Sequence, residues 1–192
     1  MRLACLVTAA GSGSRFGMEK LMLPVSGQPM GIHALDTLRL DAFALRVLVT
    51  SKDKGYLIDA AKERGFGVVI NPAPDKGMSS SVRLGTEHIL TTGEYDGILY
   101  AVADQPNLSA ASVEKLIDAF EREPGCILAL EAEGKRGNPV IFPASLFPEL
   151  MQISGDRGGR QVIAAHRELL RTVQVPASEL KDIDRKEDMG PC

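Results

Sequence analysis

The chain has 192 residues, enough for one domain with a sizeable hydrophobic core. Its net charge of −3, with 24% charged residues, excludes a general electrostatic pull towards nucleic acid or an anionic membrane. Tryptophan is absent and aromatics make up 5%, which argues against recognition on stacked aromatic platforms and for a core of Leu, Ile, Val and Ala.

The first segment, MRLACLVTAA, holds an apolar stretch too short for a signal peptide, and LACLV (3–7) reads as a buried strand. No run approaches the ~20 apolar residues of a membrane span, so a cytoplasmic protein with no membrane partner is expected. Cysteines stand at 5, 126 and 192, an odd count without metal-ligand spacing, so neither a disulfide framework nor a zinc site is predicted. The strand runs into VTAAGSGSRFGMEK (7–20), rich in glycine and carrying Arg15 and Lys20. Next come a helix over PMGIHALDTLRL (29–40), a strand at LRVLV (45–49), a helix over KGYLIDAAKERG (54–65) and a strand at GVVI (67–70). NPAPDKGMSSSVRLG (71–85) is a loop entering a helix, for which Ser79 is the candidate cap. A strand at GILYAVA (97–103) ends in Ala-Asp-Gln-Pro. A helix over SAASVEKLIDAFERE (109–123) follows, capped by Ser109 or Ser112, and then a strand at CILAL (126–130). Beyond it lie a turn at EGKRGN and PVIF, predicted as an edge or antiparallel strand because Pro139 leads it. The loop GDRGGR, a helix over QVIAAHRELL and a last strand at TVQV complete the pattern. The tail SELKDIDRKED is dense in charge and reads by itself as a solvated terminus.

Fully apolar strands alternating with helices predict an α/β fold around a mostly parallel sheet covered on both faces. In open α/β sheets ligands bind beyond the carboxyl ends of the strands. Three loops leave such ends, at residues 8–20, 71–81 and 104–107, and the fold rule expects them to meet.

Gly11, Gly13 and Gly17 fit neither the dinucleotide fingerprint nor the P-loop. A dinucleotide site would want an acidic residue after the second strand, where Thr50, Ser51 and Lys52 stand instead, so a dehydrogenase is disfavoured. Glycines alone are satisfied by a flexible strand–helix turn. With Arg15 and Lys20 added, the loop favours a phosphate, since inward backbone N–H groups and two cations suit a triphosphate. Asp104 at a strand end is either a turn residue before Pro106 or a ligand for Mg²⁺, which takes one or two carboxylates together with nucleotide phosphates. His33, His88 and His166 lie in helical patterns and read as ordinary surface or half-buried residues.

TAAGSGSRFGMEK resembles the signature of the MobA-like nucleotidyltransferases, and the likeness is greatest to the molybdenum cofactor cytidylyltransferases. ADQP (103–106), RGNPVIFP (136–143), GDRGGR (155–160) and DIDRKED (182–188) extend it over nearly the whole chain. The resemblance implies a Rossmann-like three-layer nucleotidyltransferase fold with a mixed sheet. It implies one domain over 1–192, with nucleotide binding in about 1–108 and the acceptor side in about 109–192. The implied reaction transfers CMP from CTP to the phosphate of molybdopterin and releases pyrophosphate. Mg²⁺, or Mn²⁺ in its place, is the implied cofactor, and a molybdenum hydroxylase the implied client. Lys20, Arg15 and Asp104 would be catalytic. Ala9, Ala10, Gly11, Gly13, Ser80 and Ser81 would bind the nucleotide. Asp104 and Asp184 would hold the metal, with Asp182 the fallback for the second. Asn138, Asp156 and Arg160 would bind the acceptor. The sequence departs from the usual pattern where Arg185 and Lys186 replace Thr-Pro and where Asn138 replaces histidine, which removes a titratable group. Two other readings remain: a transferase using GTP or a sugar or alcohol phosphate, and a nonenzymatic molybdopterin carrier.

Overall fold

In chain order the elements are β1 (Leu3–Thr8), the hairpin strands β2 (Pro24–Val25) and β3 (Gln28–Pro29), α1 (Met30–Thr37), β4 (Phe43–Thr50), α2 (Gly55–Glu63) and β5 (Gly67–Ile70). They continue with α3 (Met78–Thr92), β6 (Gly97–Val102), α4 (Ala110–Arg122), β7 (Ile127–Ala132), β8 (Lys135–Pro143), α5 (Phe147–Leu150), α6 (Arg160–Ala165) and β9 (Leu170–Gln174). The structure is a computed structural model, and it describes residues 1–11, 19–155 and 158–181. Seven strands form one sheet in the order β5-β4-β1-β6-β8-β7-β9. β8 alone runs against its neighbours β6 and β7; the other pairings are parallel.

The sheet is covered on both faces because its central strands are apolar on both. Along β1, Leu3, Cys5 and Val7 point into a core with Leu35 of α1, Leu57 of α2 and Leu116 of α4. Ala4 and Leu6 point the other way, into a core with Val82 and Ile89 of α3, Leu150 of α5 and Ile163 of α6. This period-2 division makes a three-layer α/β sandwich of Rossmann-like type. Helix α3 comes unusually close to the sheet at Gly85. A β-carbon there would collide with Leu6 Cδ1 and stand 2.7 Å from Val49 Cγ2.

PVIF is antiparallel, as expected, but central rather than an edge strand. Pro139 is tolerated there because the β7–β8 register jumps from Ala129↔Val140 to Leu130↔Gly137, which leaves Asn138 and Pro139 outside the ladder. The helix over QVIAAHRELL is shorter than its pattern and ends at Ala165. His166 then turns away, with its Nε2 2.8 Å from Glu149 Oε1 on α5. Among the described residues no helix is long and apolar enough to cross a membrane.

Candidate functional site

β1 delivers Ala9 and Ala10 to the carboxyl edge of the sheet, both only 4% exposed. The Ala9 N–H donates to Val49 O at 2.8 Å, and the Ala103 N–H donates to Thr8 O at 3.2 Å, so β1, β4 and β6 end level. At Gly11 a β-carbon would meet nothing within 4 Å, so packing does not demand glycine there.

The glycine-rich segment ends at Glu19 and Lys20, where a short 3₁₀ turn, Lys20–Met22, is anchored by buried Leu21. Lys20 Nζ donates to Asp104 Oδ2 at 2.8 Å, joining residues 84 apart in sequence. Both side chains remain partly open to solvent, at 14% and 29%. Two of the three suspected loops therefore meet through a cation and a carboxylate.

The third loop is built differently from its sequence reading. Asn71, buried at the end of β5, donates from Nδ2 to Ser80 Oγ at 2.8 Å and to Ser81 Oγ at 2.9 Å. Its Oδ1 accepts from the Ala73 N–H at 2.9 Å. The Ser80 hydroxyl donates to Gly77 O at 2.8 Å. Both serines are nearly buried and stitch the loop to the first turn of α3. Ser79 does not cap the helix; the N-cap is Gly77, at φ 85°, without a side-chain cap. Asn71 was silent in sequence, because Asn-Pro by itself signals only a turn.

A cleft of about 170 Å³ opens between α3, α6 and the sheet. Thr8, Met78, Tyr100, Asn138, Phe142 and Arg160 are among its walls. Asn138 and Arg160, from β8 and the start of α6, thus come together although 22 residues separate them. Tyr100 OH lies 2.9 Å from Thr86 Oγ1, whose own proton goes to Val82 O at 2.7 Å. Burial raises the Tyr100 phenol well above its usual range, so it stays neutral. Thr8, Ala101 and Val102 carry the cleft towards the strand ends next to Asp104.

The C-terminal segment is tied to the body of the fold through Glu179 and Leu180. Gln105 Nε2 donates to Leu180 O at 3.3 Å, and Glu179 Oε2 accepts from the Ser109 N–H at 3.0 Å and from Ser109 Oγ at 2.9 Å. Gly137 lets Leu180 close in, since a β-carbon there would stand 3.1 Å from Leu180 Cδ1. Gly13, Arg15, Asp156, Asp182 and Asp184 lie outside the described residues.

Among the described residues no three His, Cys, Asp or Glu side chains gather as a metal cage. Asp104 supplies one hard oxygen beside a lysine. That donor set suits a divalent cation carried mainly by nucleotide phosphates, and not a resident metal held by protein alone.

An α/β sheet with a glycine-rich first loop, a cation and a carboxylate at its carboxyl edge defines a nucleotide-handling protein. Residues 5–170 match the MobA-like NTP transferase domain, and the chain belongs to that family. It is 25% identical over 198 residues to a probable molybdenum cofactor guanylyltransferase of Rhodopirellula baltica, covering 97% of this chain and 89% of that one. It is 27% identical over 194 residues to the nicotine blue oxidoreductase of Paenarthrobacter nicotinovorans, covering 96% and 93%. The crystal structure of Rv0371c from Mycobacterium tuberculosis superposes with a TM-score of 0.83 at 25% identity, covering 98% of this chain and 95% of that one. The same protein is known in complex with manganese, with a TM-score of 0.79 at 24% identity, covering 98% and 96%.

Proposed function

We propose that the chain transfers CMP from CTP to the terminal phosphate of molybdopterin. The observation that carries this reading is the Lys20–Asp104 contact at 2.8 Å, which sets a phosphate-seeking cation and a metal-seeking carboxylate at one point on the strand ends. Ala9, Ala10, Gly11, Gly13 and Arg15 hold the nucleotide in this reading. Ser80 and Ser81 face it through the loop that Asn71 ties down. Asn138, Arg160 and Asp156 receive the acceptor, which gives the cleft its role. Residues 1–108 then serve the nucleotide and 109–192 the acceptor.

The acceptor's phosphate oxygen attacks the α-phosphorus. A new O–P bond forms as the bond to the β-phosphate oxygen breaks, and pyrophosphate leaves. The attacking oxygen is already anionic, so no side-chain base is needed, and an untitratable Asn138 costs the reaction nothing. Lys20 and Arg15 neutralise charge that builds on the α-phosphate and the leaving group. Mg²⁺ or Mn²⁺, when bound, would add charge neutralisation on the nucleotide's phosphates. Asp104 would hold it, with Asp184 as second oxygen donor, and the manganese complex of Rv0371c supports a divalent ion at such a fold.

A GTP-using enzyme is the second reading, favoured by the guanylyltransferase name of the Rhodopirellula relative. Ala10 is what favours CTP in the reading proposed here. A purine needs more room than a pyrimidine, and a β-carbon beside the base narrows the slot. One misplaced methyl is worth about 1–3 kcal/mol, roughly 10- to 200-fold in selectivity. Competition at equal CTP and GTP tests this: wild type favours CTP, and Ala10→Gly moves the ratio towards GTP. Preference of wild type for GTP refutes the cytidylyl reading. An unmoved ratio in Ala10→Gly refutes the steric account.

A further inference from the structure

Lys54 breaks two local rules. It is the N-cap of α2, where Ser, Thr, Asp or Asn is favoured, and it makes no side-chain cap there. A cation at the positive end of a helix is also electrostatically misplaced. Nor does it point to water: Lys54 is 3% exposed. A buried ammonium must be paired, and its partners identify its work. Nζ donates to Gly11 O at 2.9 Å and stands 3.2 Å from Glu19 Oε1. Tyr56, in the first turn of α2, donates its hydroxyl to the same Glu19 Oε1 at 3.2 Å. Gly11 and Glu19 are the two described ends of the glycine-rich segment, and Lys20 follows Glu19 directly. The lysine's own backbone is fixed, its N–H donating to Ser51 O at 3.2 Å and its C=O accepting from the Leu57 and Ile58 N–H groups at 3.0 and 3.1 Å.

We propose that Lys54 is a positioning residue that clamps Gly11 to Glu19 and so sets where Lys20 stands for the nucleotide. It does not touch the reacting atoms. Its ammonium joins a backbone carbonyl on one side of the loop to a carboxylate on the other, and Tyr56 fixes the rotamer of that carboxylate. The nucleotide half of this inference rests on the transferase reading above; the clamp itself does not.

The test uses the full chain and the variants Lys54→Met, Glu19→Gln and Lys54→Met/Glu19→Gln. One arm follows amide hydrogen exchange without nucleotide at Met22 and Leu23, whose N–H groups donate to Glu19 O and Lys20 O at 3.0 and 3.1 Å. The other arm measures KM and kcat for CTP in pyrophosphate release. Lys54→Met speeds exchange at these two amides by about tenfold or more, the scale of one lost charge-assisted hydrogen bond, while amides of α4 are unchanged. Glu19→Gln, which keeps the lysine and its bond to Gly11, gives a smaller change of the same kind. The double variant leaves no orphaned carboxylate and so regains thermal stability, yet keeps a raised KM because the ends stay untied. Unchanged exchange at Met22 and Leu23 in Lys54→Met overturns the clamp. So does a double variant whose KM returns to the wild-type value. If wild type releases no pyrophosphate with any nucleotide, the transferase reading fails, and the exchange arm still decides the clamp.

Discussion

Lys20 and Asp104 are the residues whose chemistry and stability effects separate most cleanly. Their side chains are 14% and 29% exposed, so solvent screens the pair, which contributes about 0–1 kcal/mol to folding. In the proposed reaction its catalytic weight is larger. Loss of one preorganised positive group at a developing anion costs roughly 10²–10³ in rate. Lys20→Met is therefore expected to lower kcat by roughly that factor with little change in Tm, as steady-state pyrophosphate release and a melting curve on the same preparation will check. A fall in Tm that accounts for the lost activity would argue against the catalytic role. Asp104→Asn keeps the shape of the side chain and removes its charge. It is expected to abolish the response of activity to added Mg²⁺ while the far-UV dichroism stays that of wild type. A metal titration curve unchanged in that variant would remove Asp104 from the metal site.

Among the elements, α3 depends most on a single residue. Gly85 lies against Leu6 and Val49 with no space for a β-carbon, and this contact holds the helix whose first turn carries Ser80, Ser81 and Met78. Overpacking costs typically about 1–3 kcal/mol, and a chain of this size loses roughly 2–4 °C per kcal/mol. Gly85→Ala is thus expected to lower Tm by roughly 2–12 °C, with the nucleotide KM rising as α3 is pushed off the sheet. An unchanged Tm would show that Leu6 and Val49 yield without cost. The same elements show what a sequence can and cannot disclose. β1 and β6 are legible because central strands covered on both faces are apolar nearly throughout, and β4 and β5 are legible as short β-branched runs although β4 carries Arg46 and β5 lies half-buried at the sheet edge. The central place of β8 is not, since Pro139 argues for an edge unless the bulge that contains it is known. The end of α6 is not legible either, because the apolar pattern continues past His166 while the backbone turns there. Lys20 and Asp104 could be picked out as types and not as a pair. Asn71 and Lys54 could not be picked out at all, because their roles exist only through partners that folding brings near, such as Gly11 43 residues before Lys54.

In the whole molecule one reversed strand divides the sheet. β5, β4, β1 and β6 present parallel carboxyl ends, as a nucleotide site requires, and β8 turns back beside β6 to supply Asn138 as the facing wall. The C-terminal segment then returns to the same edge through Gln105, Ser109 and Gly137. The seam between the two halves is where nucleotide and acceptor would meet. The most direct measurement is to incubate the protein with molybdopterin, CTP and Mg²⁺, and to follow pyrophosphate together with the nucleotide-linked pterin by mass spectrometry. The account predicts the two products in equal amounts from wild type, and neither from Asp104→Asn. Molybdopterin that binds but is recovered unmodified, with CTP, GTP, UTP and ATP alike, would contradict it and leave a carrier in its place.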